Sequence, residues 1–432
     1  MDGFKETELG LIPEDWGITS IGETCLIKNG YAFKSKDYVS NGILNFRVVN
    51  INSDGSIDIG SDTEYLPFSF AESYKKYLLE EGDILLVMVG ATRGKLTYIR
   101  KNILPALMNQ NMWRITPIMN KIDKKFLYFF LERKIDDFMS KYSENARGFF
   151  KKDEFKSVEI ILLSLSEQQK IAHILSRTQD AIEKQQQIIK TTTELKKTLM
   201  QKLFTEGLLG EPQKETEIGL IPKSWDIRNI NDFVLQTQTQ NPKNEPKNKI
   251  KYIDVSSVSN QTFTVIGHQD CYREKAPGRA RKVVYTNDVI FATIRPTLKR
   301  IAKIDAKYDD EYCSTAFCVL RPKKDLLDSE YLYQYLQTEN FIDRISKLQS
   351  GASYPAVRDE NVKSMVIPIP KIGEQSEIGN ALKTIDQKIV FHRNRKQVLQ
   401  SFFKSLLNQL MTGQIRVKDL EFDMEELEKR RH

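Results

Sequence analysis

Between Arg273 and Lys303 stand nine bases, Arg273, Lys275, Arg279, Arg281, Lys282, Arg295, Lys299, Arg300 and Lys303, against only Glu274 and Asp288. The excess of seven equals the formal charge of the whole chain, +7, so the rest of the sequence is neutral. Cations at this density, beside apolar runs and a Pro277-Gly278 turn, suit the phosphates of a nucleic acid. Arg279, Arg281 and Arg295 add the planar fork that matches guanine O6 and N7. A solvated basic face that pairs with acids elsewhere in the fold would leave the same pattern, and both readings stand.

A second set of candidates lies in the first half. Arg93 and Lys95 follow Gly90 and flank Gly94, where glycine permits close backbone approach or a plain tight turn. "NARGFFKKDEF" supplies Arg147, Lys151 and Lys152, with Phe149 and Phe150 reading as core; its counterpart "GASYPAVRDEN" supplies Tyr354 and Arg358. Asn45, Arg47, Asn50 and Asn52 in "NFRVVNIN", and Tyr252, Asp254, Ser256 and Ser257 in "YIDVSSV", lie on strands of alternating pattern; a groove-facing strand or a half-buried one explains them equally. Signals for catalysis are missing. The sequence has no Asn-Pro-Pro-aromatic tetrapeptide, no phosphate-cradling glycine loop and no Cys-x-x-Cys pair. Glu154-Phe155-Lys156 has a nuclease-like form without the preceding Asp that would complete it. No catalytic residue and no metal ligand is therefore expected.

The elements that must position these residues come in duplicate. "TELGLIPEDW" (Thr7 to Trp16) recurs as "TEIGLIPKSW" (Thr216 to Trp225), and extended to Glu23 and Asp232 the stretches agree at nine of seventeen positions. "EGDILLVMVGATRGKLTYI" from Glu81 is echoed from Thr286, a helical stretch from Asp123 is echoed from Asp328, and the offset stays near 207. Long-period self-similarity decides architecture before any local assignment. Each copy ends in a long heptad helix free of Pro and Gly, stopped by Gly207 or Gly413. One apolar seam runs through Ile171, Leu175, Ile182, Ile189, Leu199 and Leu203; a neighbouring stripe (Ile174, Ala181, Ile188, Leu195) thickens it. The other runs through Ile378, Leu382, Ile385, Ile389, Leu399, Phe403, Leu406 and Leu410. Helices of about 60 Å with one apolar stripe need a partner. The expectation is an antiparallel pair with pseudo-twofold symmetry, its register held by Gln185, His392 and Lys396.

Composition sets outer limits. The chain of 432 residues is 40% hydrophobic and 28% charged, as in an ordinary globular protein. No apolar run approaches the roughly 20 residues of a membrane helix, and no secretion signal opens the sequence. Four unpatterned cysteines point to a reducing, cytoplasmic home without membrane partners.

"GDILLVMVGATRGKL" (Gly82 to Leu96), "EQQKIAHIL" (Glu167 to Leu175), "EQSEIGNAL" (Glu374 to Leu382), "LGLIPEDW" (Leu9 to Trp16) and "IGLIPKSW" (Ile218 to Trp225) resemble the specificity subunits of type I restriction-modification systems. The resemblance spans the whole chain, with its marks appearing twice in order. It implies an α+β fold: two tandem-duplicated recognition domains separated by a long antiparallel two-helix coiled coil. The boundaries are 1–165 for the first recognition domain, 166–207 for its spacer helix, 208–372 for the second domain, 373–414 for its helix and 415–432 for a charged tail. It also implies the partners: double-stranded DNA with a bipartite asymmetric site, two modification (methyltransferase) subunits and restriction (translocase and nuclease) subunits. The chain itself needs no cofactor on this reading; S-adenosylmethionine, ATP and Mg²⁺ belong to the partner subunits. Two departures blur local loops. "NDVIFATIRPTLK" (Asn287 to Lys299) replaces the usual Gly-Ala-Thr-x-Gly turn, and "LSLSEQQ" (Leu163 to Gln169) lacks the usual prolines. The alternative is a coiled-coil scaffold whose duplicated domains bind other proteins and not DNA.

Overall fold

The computed structural model of the chain describes residues 3–60, 62–90, 92–118, 120–142, 151–244, 248–351, 353–418 and 420. They divide into two compact units, Met1–Lys184 with Gln397–His432, and Gln185–Lys396. The long helices, Leu165–Glu206 and Ile372–Met411, each contribute one segment to each unit. Among the described residues no helix is long and apolar enough to cross a membrane.

Unit 1 opens on a hairpin, Phe4–Thr7 against Gly10–Pro13. Thr7 Oγ1 donates to the Gly10 carbonyl (2.7 Å) and accepts from Leu9 N (3.2 Å). Gly10 takes φ +100°, a conformation that side chains disfavour, which is why Thr and Gly recur three residues apart. Below the turn Trp16 is buried, and its indole N–H donates to Glu167 Oε2 at the start of the first long helix (3.3 Å). Gln168 fastens that helix start to its surroundings: its Nε2 donates to Leu163 O (2.8 Å) and its Oε1 accepts from Asp123 N (2.7 Å). The far end of the second long helix closes the same joint. Gly413 ends it at φ +68°, and a Cβ there would lie 2.3 Å from Pro13 Cγ. Arg416 reaches both Asp15 oxygens (2.9 and 2.8 Å) and Glu167 Oε1 (3.0 Å), its guanidinium 5.5 Å from the Trp16 ring centroid. That guanidinium holds the Asp15 carboxyl below its ordinary value.

Two sheets follow. One is antiparallel, in the order Cys25–Asn29, Met112–Pro117, Ile84–Val87, Leu96–Tyr98; the other sets Ile43–Phe46 between Glu64–Leu66 and a parallel neighbour, Ala106–Met108. The run Ile84–Val87 is buried throughout, as its apolar continuity predicts. Asp83, just before it, accepts from Glu80 N (2.8 Å) and lies 3.4 Å from the Arg114 guanidinium. Burial nonetheless raises its pKa. Helix Lys124–Tyr142 packs Phe126, Phe129 and Phe130 into a core shared with Ile171 and Leu175 of the first long helix and with Phe403, Leu407 and Leu410 of the second.

Unit 2 repeats the plan. Its hairpin pairs Gln213–Thr216 with Gly219–Pro222, and Trp225 Nε1 donates to Glu374 Oε2 (3.0 Å). Gln375 accepts from Asp328 N (2.8 Å) and donates to the Pro370 carbonyl (2.9 Å); Gly207 stops the first long helix beside Pro222 and Glu374. The sheets run Val234–Leu235, Phe317–Pro322, Val289–Ala292, Ile301–Lys303, and Gln269–Tyr272, Lys249–Ile253, Glu311–Ser314, Ala280–Val284. Asp288 and Arg321 repeat the buried Asp–Arg pair as a fork, at 2.9 and 2.8 Å. The repeated decapeptide, the Glu-Gln dipeptide and the terminal glycine are thus parts of one joint, built once in each unit. One expected helix differs: from Asp328 the chain forms two, Ser329–Tyr335 and Glu339–Ser346, because Thr338 Oγ1 accepts from Phe341 N and caps a new start.

The helix segments of unit 2 run antiparallel. Gln185 Oε1 lies 2.8 Å from His392 Nδ1, Lys196 Nζ donates to Asp386 Oδ2 (2.8 Å), and Leu208 N donates to Glu374 Oε1 (3.3 Å). Lys396 Nζ also donates to Gln186 Oε1 (2.7 Å), so the three polar positions do hold a register. Of the expected seam, Ile171, Leu175, Ile189, Leu203, Ile378, Leu382, Ile389, Phe403 and Leu410 are buried, and Ile182, Leu199, Ile385, Leu399 and Leu406 are half-buried. Leu195, assigned to the thickening stripe, is instead exposed. The neighbouring Lys196 takes the interior place, where burial lowers its pKa and Asp386 and the Gln337 amide oxygen receive its protons.

Glu132 of unit 1 stands nine residues after the capping Asp123, the place that Gln337 holds after Asp328. Its Oε2 is sealed from solvent without a partner among the described residues, and burial, helped by Asp54, pushes its pKa up to about 7. From about pH 4.5 to about 7 the unfolded chain sheds this proton while the folded chain keeps it, so the fold is disfavoured progressively as pH rises through that window. Glu132→Gln should therefore melt higher than the parent at pH 8 and close to it at pH 4. An equal gap at both values would mean that the carboxyl titrates normally.

Candidate nucleic-acid interface

In unit 2 a run of backbone bonds draws separate loops into one rim. Gln240 N donates to Arg281 O (2.8 Å), and Thr315 N donates to Arg279 O (2.9 Å). The Ala316 carbonyl accepts both Thr293 N (2.8 Å) and Thr293 Oγ1 (2.9 Å). Val357 N donates to Thr293 O (2.9 Å) and Arg295 N to Pro355 O (2.7 Å). Arg295 sits at φ +49°, unusual for a residue with a side chain, and its guanidinium lies 5.4 Å from the ring centroid of Tyr354. Tyr354 is 74% exposed, and Arg279 and Arg295 are exposed too. Arg281 is half-buried at an irregularity in strand Ala280–Val284, a bulge that turns it out of the regular alternation. Four arginine and tyrosine candidates, far apart in sequence, thus share one edge.

Four other bases of the segment have internal partners. Lys282 pairs with Asp359, Lys299 with Glu339 (2.7 Å) and Lys303 with Glu330, and Arg300 donates to Val255 O (3.1 Å). Three acids from outside the counted segment therefore offset part of its excess charge. Arg273 is half-buried beside exposed Lys275, and Arg358 is exposed, its N–H capped by Asn361 Oδ1 (2.9 Å).

In unit 1 Lys95 Nζ donates to Ile51 O (2.7 Å), matching the place and backbone-bracing role of Arg300. Arg93 is half-buried in the turn between Gly90 (φ +83°) and Gly94 (φ +89°). Lys151 is exposed near Glu154 (3.6 Å) and Lys152 is half-buried; Arg147 lies outside the described residues. Asn45 and Asn50 are buried, Asn45 Oδ1 accepting from Asn109 and Asn50 Oδ1 from Arg47 N. Asp254 likewise gathers Ser256 and Ser257 into a turn. Asn45, Asn50 and Asp254 thus bond within the fold, whereas Asn52 is exposed.

Sequence reasoning passed over two exposed features. In unit 2 the segment "QTQTQN" (Gln236 to Asn241) lies extended along strand Ala280–Val284, with Thr239 opposite Lys282 and Val283 N donating to Gln238 O (3.2 Å). In unit 1 the Tyr31 ring packs at a tilt against Tyr74 (centroids 4.8 Å) and Tyr77 (5.1 Å), beside exposed Lys75 and Lys76. The signal was available: glutamines at every second position mark one face of an extended segment.

Against known proteins, the family model described as "Type I restriction modification DNA specificity domain" matches twice, at residues 13–192 and 222–401. The type I restriction enzyme MjaVIII specificity subunit of Methanocaldococcus jannaschii is 30% identical over 98% of both chains. The EcoDI specificity subunit of Escherichia coli is 24% identical, covering 85% of this chain and 81% of its own. A solved S subunit of a type I restriction-modification system from M. genitalium superposes with a TM-score of 0.60 at 14% identity, covering 91% of this chain and 96% of that one.

Proposed function

The chain belongs to the type I restriction modification DNA specificity family, and from that premise we propose that it is the non-catalytic, DNA-reading subunit of a modification and restriction complex. Each unit reads one half of a bipartite asymmetric site, and the length of the long helices sets the spacer between the halves. The helices also dock two modification subunits. Exposed apolar residues on the second long helix support this, Val398 and Phe402 one turn apart in unit 1, Val390 and Phe391 in unit 2. Adenine methylation with S-adenosylmethionine, and ATP- and Mg²⁺-dependent translocation and cleavage, fall to the partner subunits.

One observation carries the reading: Arg279, Arg281, Arg295 and Tyr354 share an edge while Lys282, Lys299 and Lys303 are ion-paired within the fold. Cations without acid partners among the described residues, on an ordered rim, suit phosphate and base edges. The test is duplex binding by the chain with its modification subunit at 50 and 200 mM salt. An interface of six or more phosphate contacts loses roughly a thousandfold in affinity over that range. Salt-insensitive capture of protein partners with no retention of DNA would favour the scaffold alternative.

A further inference from the structure

We infer that base specificity in each unit resides on the edge where the loop after the first sheet strand lies against the segment leading into the central strands. The inference rests on the DNA-reading function proposed above and names the groups that read. In unit 2 the edge pairs Gln238 and Gln240 with Arg279 and Arg281. The two glutamines are two residues apart in an extended segment and so share a face; Gln240 Nε2 lies 3.5 Å from Gln238 Oε1, and Tyr312 OH lies 3.5 Å from Gln240 Oε1. Both are exposed, and no acid interrupts either "QTQTQN" or "APGRARK" (Ala276 to Lys282). Exposed amides held by a neighbour's contacts are the groups that pair in bidentate fashion with adenine N6 and N7, as arginine does with guanine O6 and N7.

Unit 1 places different chemistry on the corresponding edge. Leu78 bridges Leu107 as Val283 pairs with Tyr312, and the segment before it carries Tyr74 and Lys76 on and beside a short helical turn, Lys75–Tyr77, where unit 2 carries Arg279 and Arg281 on and beside strand Ala280–Val284. Tyr31, from the loop after the first sheet strand, packs against Tyr74 with its ring tilted. Joints, sheets and buried Asp–Arg pairs are kept between the units, while this edge changes from amide and guanidinium to phenol and ammonium. An edge whose place in the fold is kept while its chemistry and local backbone change is where two half-sites of different sequence would be distinguished. Unit 2 is thereby assigned a purine-rich stretch with at least one adenine.

The test uses the chain in complex with its modification subunit, with methylated sites mapped across a genome. Gln238→Ala with Gln240→Ala should relax one or two letters in one half of the motif, by about 10- to 100-fold in preference each, and leave the other half unchanged. Gln238→Glu with Gln240→Glu, which keeps shape and exchanges donors for acceptors, should lose the adenine preference at the same letters. Tyr74→Ala with Lys76→Ala should relax the opposite half. An unaltered motif in the glutamine variants, with methylation abolished by the Arg279, Arg281 and Arg295 triple variant, would overturn this inference and leave the DNA-reading function standing. A uniform loss with unchanged letters would also overturn it, since that marks phosphate contact. Were the triple variant also indistinguishable from the parent, the rim would leave the interface, and only loss of salt-dependent duplex binding by the parent complex would overturn the function.

Discussion

Replacing Arg279, Arg281 and Arg295 together by Ala is expected to weaken binding of cognate duplex by the complex at least about a hundredfold. Each arginine that contacts a base edge or phosphate contributes roughly 1–3 kcal/mol, and 1.4 kcal/mol is a factor of ten. Where the contacts are to phosphate, the slope of log affinity against log salt should flatten by about 0.9 for each lost cation, nearly three in all. Arg279 and Arg295 are exposed and the side chain of half-buried Arg281 donates to its neighbour Ala280 O, so the triple variant should melt near the parent. Lys282→Ala gives the contrast. Its ammonium meets Asp359 and the Phe317 carbonyl (2.6 Å) inside the fold, so its loss should lower the melting temperature without changing the salt slope. Equal salt slopes in the triple variant and the parent would remove the rim from the interface.

Deleting one heptad from each long helix, residues 186–192 and 393–399, is expected to abolish methylation at the native site. Seven residues of helix are about 10.5 Å, which corresponds to about three base pairs, or a third of a turn of duplex. A third of a turn moves a reading head off its groove face, so loss of the native site should exceed a thousandfold. The apolar phase survives a heptad deletion, and Ile182, Leu199 and Leu203 would keep their seam. Lys196–Asp386 and Gln185–His392, which lie outside or at the edge of the deleted blocks, would still mark register. Any site recovered should carry a spacer about three base pairs shorter. Methylation of the native site at the parental rate would contradict helix length as the determinant of spacing.

Much of this architecture could be read from the chain. The duplication, the two long helices, their glycine stops and the a/d seam follow from periodicity, because helical burial repeats every 3.5 to 3.6 residues whatever the surroundings. Polar partners did not follow. Trp16 and Glu167 lie 151 residues apart, and Trp225 and Glu374 149 apart, so nothing local announced that the repeated motifs form one joint. The same distance effect misled the charge count: Glu330, Glu339 and Asp359 reach back over sheet and helix to Lys303, Lys299 and Lys282. The break at Thr338 was hidden by aromatic spacing that continues across it. The candidate rim was half legible: its arginines stand out in a basic segment, whereas "QTQTQN" has neither charge nor hydrophobic periodicity, and only its pairing with strand Ala280–Val284 gives it a face.

The most direct measurement is genome-wide mapping of methylated adenines in cells carrying this chain with its modification subunit, repeated with the Arg279, Arg281 and Arg295 triple variant. The parent should give a motif of two short specified halves separated by a gap of fixed length, and the variant should lose or degrade one half only. A single uninterrupted motif, or a pattern that persists when the chain is removed, would contradict reading by two equivalent units.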